Sequence, residues 1–341
     1  MTQSTSMESR KNTLAGKTIG VLLGGIGPER EISLKTGEAI ATALESRGHK
    51  VVRVYVDRDI DRVLRQTPID IAFIALHGTY GEDGCVQGLL EIMGIPYTGS
   101  NVLASALAMD KLKAKELFRL YNVPTPPYYC VDADEIEKLE EMHGSFGFPA
   151  FVKPRRSGSS VGAGKANDMA ELRLRCEEAA QYDRSVLVER FVAAKEIAVG
   201  VLDGRALGAV EIVPKGQFFD YKSKYQKGQS EFHFPARLPP TRYKGVLTLA
   251  ERAHRALGCS GATRVDLLVT EGENEYVLEV NTIPGMTPTS LLPQIAAGSG
   301  YDFPGLCEAI LLRSSLGAPG THLEDASDAM GTNEDLHAAA E

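Results

Sequence analysis

No stretch of the 341-residue chain is apolar for the roughly 18 residues that a membrane-spanning helix needs. The longest apolar runs, such as Ile71–Leu76, are strand-sized. The polar start, Met1–Lys17, lacks the apolar region of a secretory leader, and the chain reads as cytoplasmic. Cysteine is sparse and odd in number. Cys85, Cys130, Cys176, Cys259 and Cys307 are scattered without a C-x-x-C pair, which excludes a disulfide framework and a cysteine zinc site. Basic residues stop at Arg313, after which six acidic residues follow. The net charge of −8 is therefore concentrated in the tail, and the body before it carries only about −2. With no basic face, nucleic acid is not an expected partner. Two nucleotide fingerprints are missing as well. The first glycine loop does not have G-x-G-x-x-G spacing, and no Gly-Lys-Ser/Thr opens a helix. No internal repeat is present.

What is present alternates. Thr18–Leu23 reads as a strand ended by Gly24-Gly25, Ile32–Arg47 as a helix closing at Gly48, and Val51–Val56 and Ile71–Leu76 as further strands. Strand, helix and strand at this spacing predict a parallel α/β unit buried on both faces. Asn101–Tyr121 has helical spacing throughout and is stopped by Asn122–Pro127. The next block changes to α+β character. Pro149–Lys153, Val186–Arg190, Glu196–Leu202 and Gly208–Val213 read as strands, and Asp168–Tyr182 as a helix opened by a capping box. Residues 214–240 read as a long irregular functional loop, and Arg242–Leu257 as a helix. Ala262–Val269 and Glu275–Asn281 then form a hairpin, and a last helix starts at Pro304. The expected organisation is a flexible tail over 1–16, a Rossmann-like domain over 17–108, a central domain over 109–200, a C-terminal domain over 201–316 and a disordered acidic tail over 317–341.

Five motifs can carry chemistry. The loop Gly24–Glu31 follows the first strand, where glycines let a ligand approach a helix N-terminus. Glu29 would crowd a pyrophosphate there and suits an ammonium group better; a tight turn with a solvated acid is the alternative. His77-Gly78 through Gly81-Glu82-Asp83-Gly84 follows the third strand, at the edge where α/β ligands bind. A structural histidine is the competing reading. Lys153 ends a strand before Arg155–Gly162, a glycine and serine loop able to offer amides and hydroxyls to phosphate. Glu189 and Glu196 could hold a base edge and a ribose, or belong to an alternating edge strand. Arg264 and Asp266 share one strand face, and Glu279 and Asn281 share another. If the two faces coincide, two carboxylates and an amide oxygen form a hard donor set suited to Mg2+.

Across these residues the chain resembles the D-alanine–D-alanine ligases of the ATP-grasp superfamily. The matching segments are Leu22–Gly25 with Glu29–Glu31, Ala75–Gly78 with Gly81–Gly84, Pro96–Ser100, Met109–Lys111 and Val152–Pro154. They continue with Gly158–Gly162, Tyr221–Tyr225, Arg264–Asp266, Glu279–Thr282, Pro284–Thr287 and Ser290-Leu291. Each is short; their ordered succession from residue 18 to about 312 carries the resemblance. It implies an ATP-grasp fold with an N-terminal Rossmann-like parallel-sheet domain, and ligation of two D-alanines through an acyl phosphate. The implied ATP residues are Lys111, Lys153, Ser159, Ser160, Val161, Glu189, Arg190, Val192, Glu196 and Lys224. Asp266, Glu279 and Asn281 would bind two Mg2+ ions, with Mn2+ able to substitute. Glu29 and His77 would take the first D-alanine, Arg264 and the amide of Gly285 the oxyanion, and Ser290 and Leu291 the second D-alanine. Ser159, Glu29 and Tyr225 would be linked when a lid over 214–240 closes. A homodimer is also implied.

These residue types suit the chemistry. A carboxylate is a poor electrophile, and phosphoryl transfer from ATP activates it. A second amine then attacks, and donors stabilise the oxyanion. A closing lid keeps water from the acyl phosphate. Arg190 stands where many members carry Lys, Ile283 where Ser is common, and both 155 and 156 are Arg. Three other functions compete. Tyr225 argues against a ligase that uses D-lactate. A nicotinamide dehydrogenase leaves Asp266, Glu279 and Asn281 unexplained. A nucleotide sensor leaves the retained metal ligands without a purpose.

Overall fold

The structure, a computed structural model, describes residues 14–158, 161–214, 230–272, 274–287 and 289–317. Ser159, Ser160, Lys224 and Tyr225, together with nearly all of both tails, lie outside the described residues.

Every residue of β1 (Thr18–Gly24) is buried, as expected of a strand covered on both faces. After it come α1 (Arg30–Ser46), β2 (Lys50–Val56), α2 (Ile60–Gln66), β3 (Ile71–Ile74) and α3 (Cys85–Met93). The strands form a parallel sheet in the order β2-β1-β3, as the alternating pattern predicts.

The single helix expected over 101–121 is two, α4 (Val102–Met109) and α5 (Lys111–Leu120). Asp110 between them is extended (φ −83°, ψ 95°), and its Oδ1 accepts the Lys113 N–H at 3.1 Å. Asx side chains compete with the helix in this way, and periodicity does not reveal it.

The chain continues through β4 (Tyr128–Asp132), α6 (Leu139–His143), β5 (Ala150–Pro154), β6 (Gly164–Ala166), α7 (Met169–Ala180) and β7 (Ser185–Arg190). The sheet order is β4-β7-β5-β6, all antiparallel. The alternating edge strand considered for Glu189 is thus an interior strand, buried from Ser185 to Glu189. At the start of α7, Asp168 accepts the Glu171 N–H. Glu171 reaches back to the Asn167 N–H, one residue earlier than a capping box closes. The helix covers the sheet through Leu172 and Cys176.

The third body contains β8 (Lys195–Leu202), β9 (Arg205–Pro214), β10 (Ser230–His233), α8 (Pro240–Ala256), β11 (Ala262–Val269), β12 (Glu275–Asn281), α9 (Leu291–Gly298) and α10 (Phe303–Leu311). Its strand order is β10-β9-β8-β11-β12. A boundary at residue 200 would cut β8, whose whole length pairs in this sheet. The stretch read as irregular contains an ordered edge strand, β10, paired with β9.

Val246, Leu249, Ala250 and Ala253 of α8 pack on Val199, Val265, Leu267 and Val277 of the sheet. Each buried valine or leucine among them stabilises the fold by roughly 1.5–3 kcal/mol, each alanine by less. The chain end returns to the first body. Leu306, Ile310 and Leu311 share a core with Ile19, Val21, Ile40 and Leu44, and Ser315 pairs with Tyr97.

Candidate active site

A cavity of about 380 Å³ lies between the four-stranded and five-stranded sheets. Lys111, Lys153, Val161, Glu189, Arg190, Val192, Glu196, Asp266 and Glu279 all line it, together with Phe151, Ile197, Ile212, Leu267 and Leu278. None of the five cysteines does. Lys111 begins α5, where Asp110 caps the helix and also forms a bidentate pair with Arg155 at 2.7 and 2.6 Å. The Lys111 N–H meets the Arg155 carbonyl, and its Nζ donates to the Ser157 carbonyl at 2.5 Å. The end of the glycine and serine loop is therefore fastened to the lysine expected at phosphate.

Lys153 is the penultimate residue of β5 and meets Glu189 of β7 at 2.7 Å. Glu189 is 2% exposed, and its other oxygen lies 2.5 Å from Lys115. Burial alone would raise the Glu189 pKa, but the two lysines hold it below the usual carboxylate range.

The acidic strands coincide as their periodicity allows. Asp266 pairs in register with Glu279, and Arg264 with Asn281. Arg264 holds Asp266 through two 2.8 Å bonds, and Asn281 Nδ2 donates to Asp266 Oδ2 at 3.2 Å. Both Asn281 contacts use its amide nitrogen, and its oxygen is the atom a hard cation takes. Among the described residues no group of three His, Cys, Asp or Glu is arranged for a metal ion. The set here is two carboxylates and an amide, which fits Mg2+ by donor chemistry.

Beside the cavity, the carboxyl edge of the parallel sheet brings Glu29 against the glycine and serine loop. A Cβ on Gly78 would stand 2.2 Å from Glu29 Oε2, and one on Gly158 3.2 Å from it. Gly78 also has a φ of +68°, which favours glycine there, and a Cβ would displace the Glu29 carboxylate. His77 Nε2 lies 3.1 Å from Thr36 Oγ1. Burial, aided by the Arg264 charge, lowers its pKa to about 4, and the ring is neutral near pH 7. Glu82 accepts the Gly78 N–H at 2.7 Å. Burial first, and the Glu29 charge second, push its pKa up to about 8.

Gly285 has its α-carbon against Ser290, where a Cβ would lie 2.9 Å from Oγ. Ser290 Oγ accepts the Thr287 N–H and precedes α9. The Leu291 side chain packs into a core with Ala198, Val210, Ile212 and Ile295, so only its backbone remains for a ligand.

Lys115 and Glu82 received no role from the sequence. Lys115 lies one helical turn beyond Lys111 on the buried face of α5, where only its tertiary partner Glu189 marks it. Glu82 lies in the Gly81–Gly84 motif, but nothing local marked the second acid, Glu29, beside it.

The family model described as "D-ala D-ala ligase C-terminus" matches residues 117–312, and that described as "D-ala D-ala ligase N-terminus" matches residues 59–100. A curated D-alanine–D-alanine ligase from Geotalea uraniireducens strain Rf4 is 53% identical over 303 residues, covering 89% of this chain and 97% of that protein. The crystal structure of D-alanine–D-alanine ligase from Bacillus anthracis superposes with a TM-score of 0.78 at 36% identity, covering 87% of this chain and 97% of that one. The Bacillus anthracis ligase complexed with ATP gives 0.76 at 35% identity, covering 87% and 96%.

Proposed function

The chain belongs to the D-alanine–D-alanine ligase family, and from that premise we infer that it joins two D-alanines into D-alanyl-D-alanine for peptidoglycan precursor synthesis, converting ATP to ADP and phosphate. Its fold is that of the ATP-grasp ligases, with a parallel-sheet first domain. The observation that carries the reading is the convergence of Lys111, Lys153, Glu189, Asp266 and Glu279 on one cavity, with Glu29 reaching the same glycine loop from the other side.

In this reading the base of ATP lies against Phe151 and Leu278, with Glu189 and the segment Arg190–Val192 at its polar edge and Glu196 at the ribose. Lys111 and Lys153 hold the phosphates, and Ser159, Ser160 and Val161 close over them. Asp266, Glu279 and Asn281 would hold Mg2+, which when bound neutralises charge on the transferring phosphoryl group. Glu29 takes the ammonium of the first D-alanine, and neutral His77 adds no second positive charge beside it. The carboxylate oxygen of that D-alanine attacks the γ-phosphorus, and ADP leaves. The free amine of the second D-alanine attacks the acyl carbon. Arg264 and the Gly285 amide meet the oxyanion, and phosphate leaves as the peptide bond forms. Ser290 and the Leu291 backbone hold the second carboxylate. Lys224 and Tyr225 belong to the lid in this scheme.

No helix among the described residues is long and apolar enough to cross a membrane. We place the enzyme in the cytoplasm as a homodimer; gel filtration with light scattering tests the dimer. The test of function is phosphate release from ATP and Mg2+ with D-alanine, with L-alanine, and with D-alanine plus D-lactate, products being identified by mass. D-alanine-dependent turnover to the dipeptide is expected. Absence of turnover in the D-alanine lane, with ATP still bound, would overturn the reading.

A further inference from the structure

Resting on the assignment of this cavity to ATP, we propose that Lys115 is a positioning residue, the fixed counter-ion of Glu189 that leaves Lys153 free to move to the nucleotide phosphates. Glu189 is held by one lysine at each oxygen, Lys115 at 2.5 Å and Lys153 at 2.7 Å. The two lysines are not equivalent. The Lys115 side chain is fully buried and does not line the cavity. Its Nζ also donates to Thr125 Oγ1 at 2.5 Å and faces the Tyr128 ring at 5.6 Å, so it has no path out. Lys153 lines the cavity and keeps 10% of its side chain exposed.

A carboxylate buried this deeply cannot stay charged without a counter-ion. If Lys153 were its sole partner, moving that lysine to a phosphate would leave an uncompensated buried anion. With Lys115 in place the exchange leaves a neutral pair behind, and the carboxylate keeps its orientation toward the base. Before ATP arrives the triad carries one net positive charge beside the cavity, which favours a polyanion. Burial lowers the Lys115 pKa to about 8 against the pull of Glu189, so it is charged near neutral pH.

The test is a double-mutant cycle on the full-length enzyme, read as dissociation constants for ATP and for adenosine and as the KM for D-alanine. Lys115→Met is expected to weaken ATP by about tenfold or more, because Glu189 then retains Lys153. Adenosine, which has no phosphate for Lys153 to meet, should weaken far less, and the KM for D-alanine should hold within about twofold. In a Glu189→Gln background, Lys115→Met should change ATP affinity by less than about twofold, since no carboxylate remains to be held. That second comparison also stands if Lys115→Met alone does not fold. Equal losses for ATP and adenosine, or the same loss in both backgrounds, would overturn the proposal and reduce Lys115 to a packing residue.

Discussion

Glu29 stands where it does because two residues opposite it have no side chain. Gly78→Ala forces a left-handed residue to carry a Cβ, a cost of roughly 1–2 kcal/mol, and drives that atom into the Glu29 carboxylate. The expected result is at least a tenfold rise in the KM for D-alanine, roughly the factor that 1.4 kcal/mol produces. ATP affinity, measured by titration, should change little, because Gly78 does not line the cavity proposed for ATP. A second residue-level prediction concerns pH. His254 is buried against Thr263, and burial lowers its pKa to about 4 from an ordinary 6.5. The unfolded chain takes up that proton first, so the stabilisation is complete above pH 6.5 and lost as pH falls to about 4. Urea melts across this window should show His254→Gln with a shallower dependence, by up to about 1.4 kcal/mol per pH unit. The sequence reveals residues of this kind unevenly. Asp266 and Glu279 were legible because a strand's period of two fixes which side chains share a face. Lys115 was not, because a lysine in a helix is ordinarily solvated, and only its tertiary partner Glu189 makes it a core residue.

The interruption between α4 and α5 sets the position of a cavity-lining lysine. Asp110 ends one helix, caps the next and binds Arg155, thereby setting Lys111 beside Ser157. Asp110→Ala loses a cap worth about 1 kcal/mol and strands a partly buried arginine, for a total of roughly 2–3 kcal/mol in a urea melt. Asp110→Asn keeps the cap and should lose about half as much. Both should weaken ATP, since the lysine and the loop are fastened together. Strands with strong patterns, such as β1 and β11, were readable from sequence. The strand β10 was not: Ser230–His233 has no apolar alternation and exists because β9 offers it an edge. The helix break was equally hidden, since the apolar spacing from Leu103 to Leu120 runs through it unbroken.

At the scale of the whole molecule, the three sheets are not three independent units. The core of the first sheet includes Leu306, Ile310 and Leu311 of α10, and Met286 and Leu292 contribute from just before it. Leu306→Ala should cost about 2–5 kcal/mol through the cavity it leaves. Hydrogen exchange should then speed up in α1 as well as in α10, although the two helices are distant in sequence. Unchanged protection of α1 in that variant would show the first body to be self-sufficient. The sequence marked where composition changes from α/β to α+β, but it could not reveal this return, because the apolar face of a terminal helix does not say which sheet it covers. The return also sets the timing of synthesis. On the ribosome β1, α1, β2 and β3 emerge well before α10, so the side of their core that α10 covers stays open while the two intervening sheets are made. The first sheet is therefore made before its core can close, and Ile40 and Leu44, buried once α10 docks, are apolar surface that the growing chain must shelter until then.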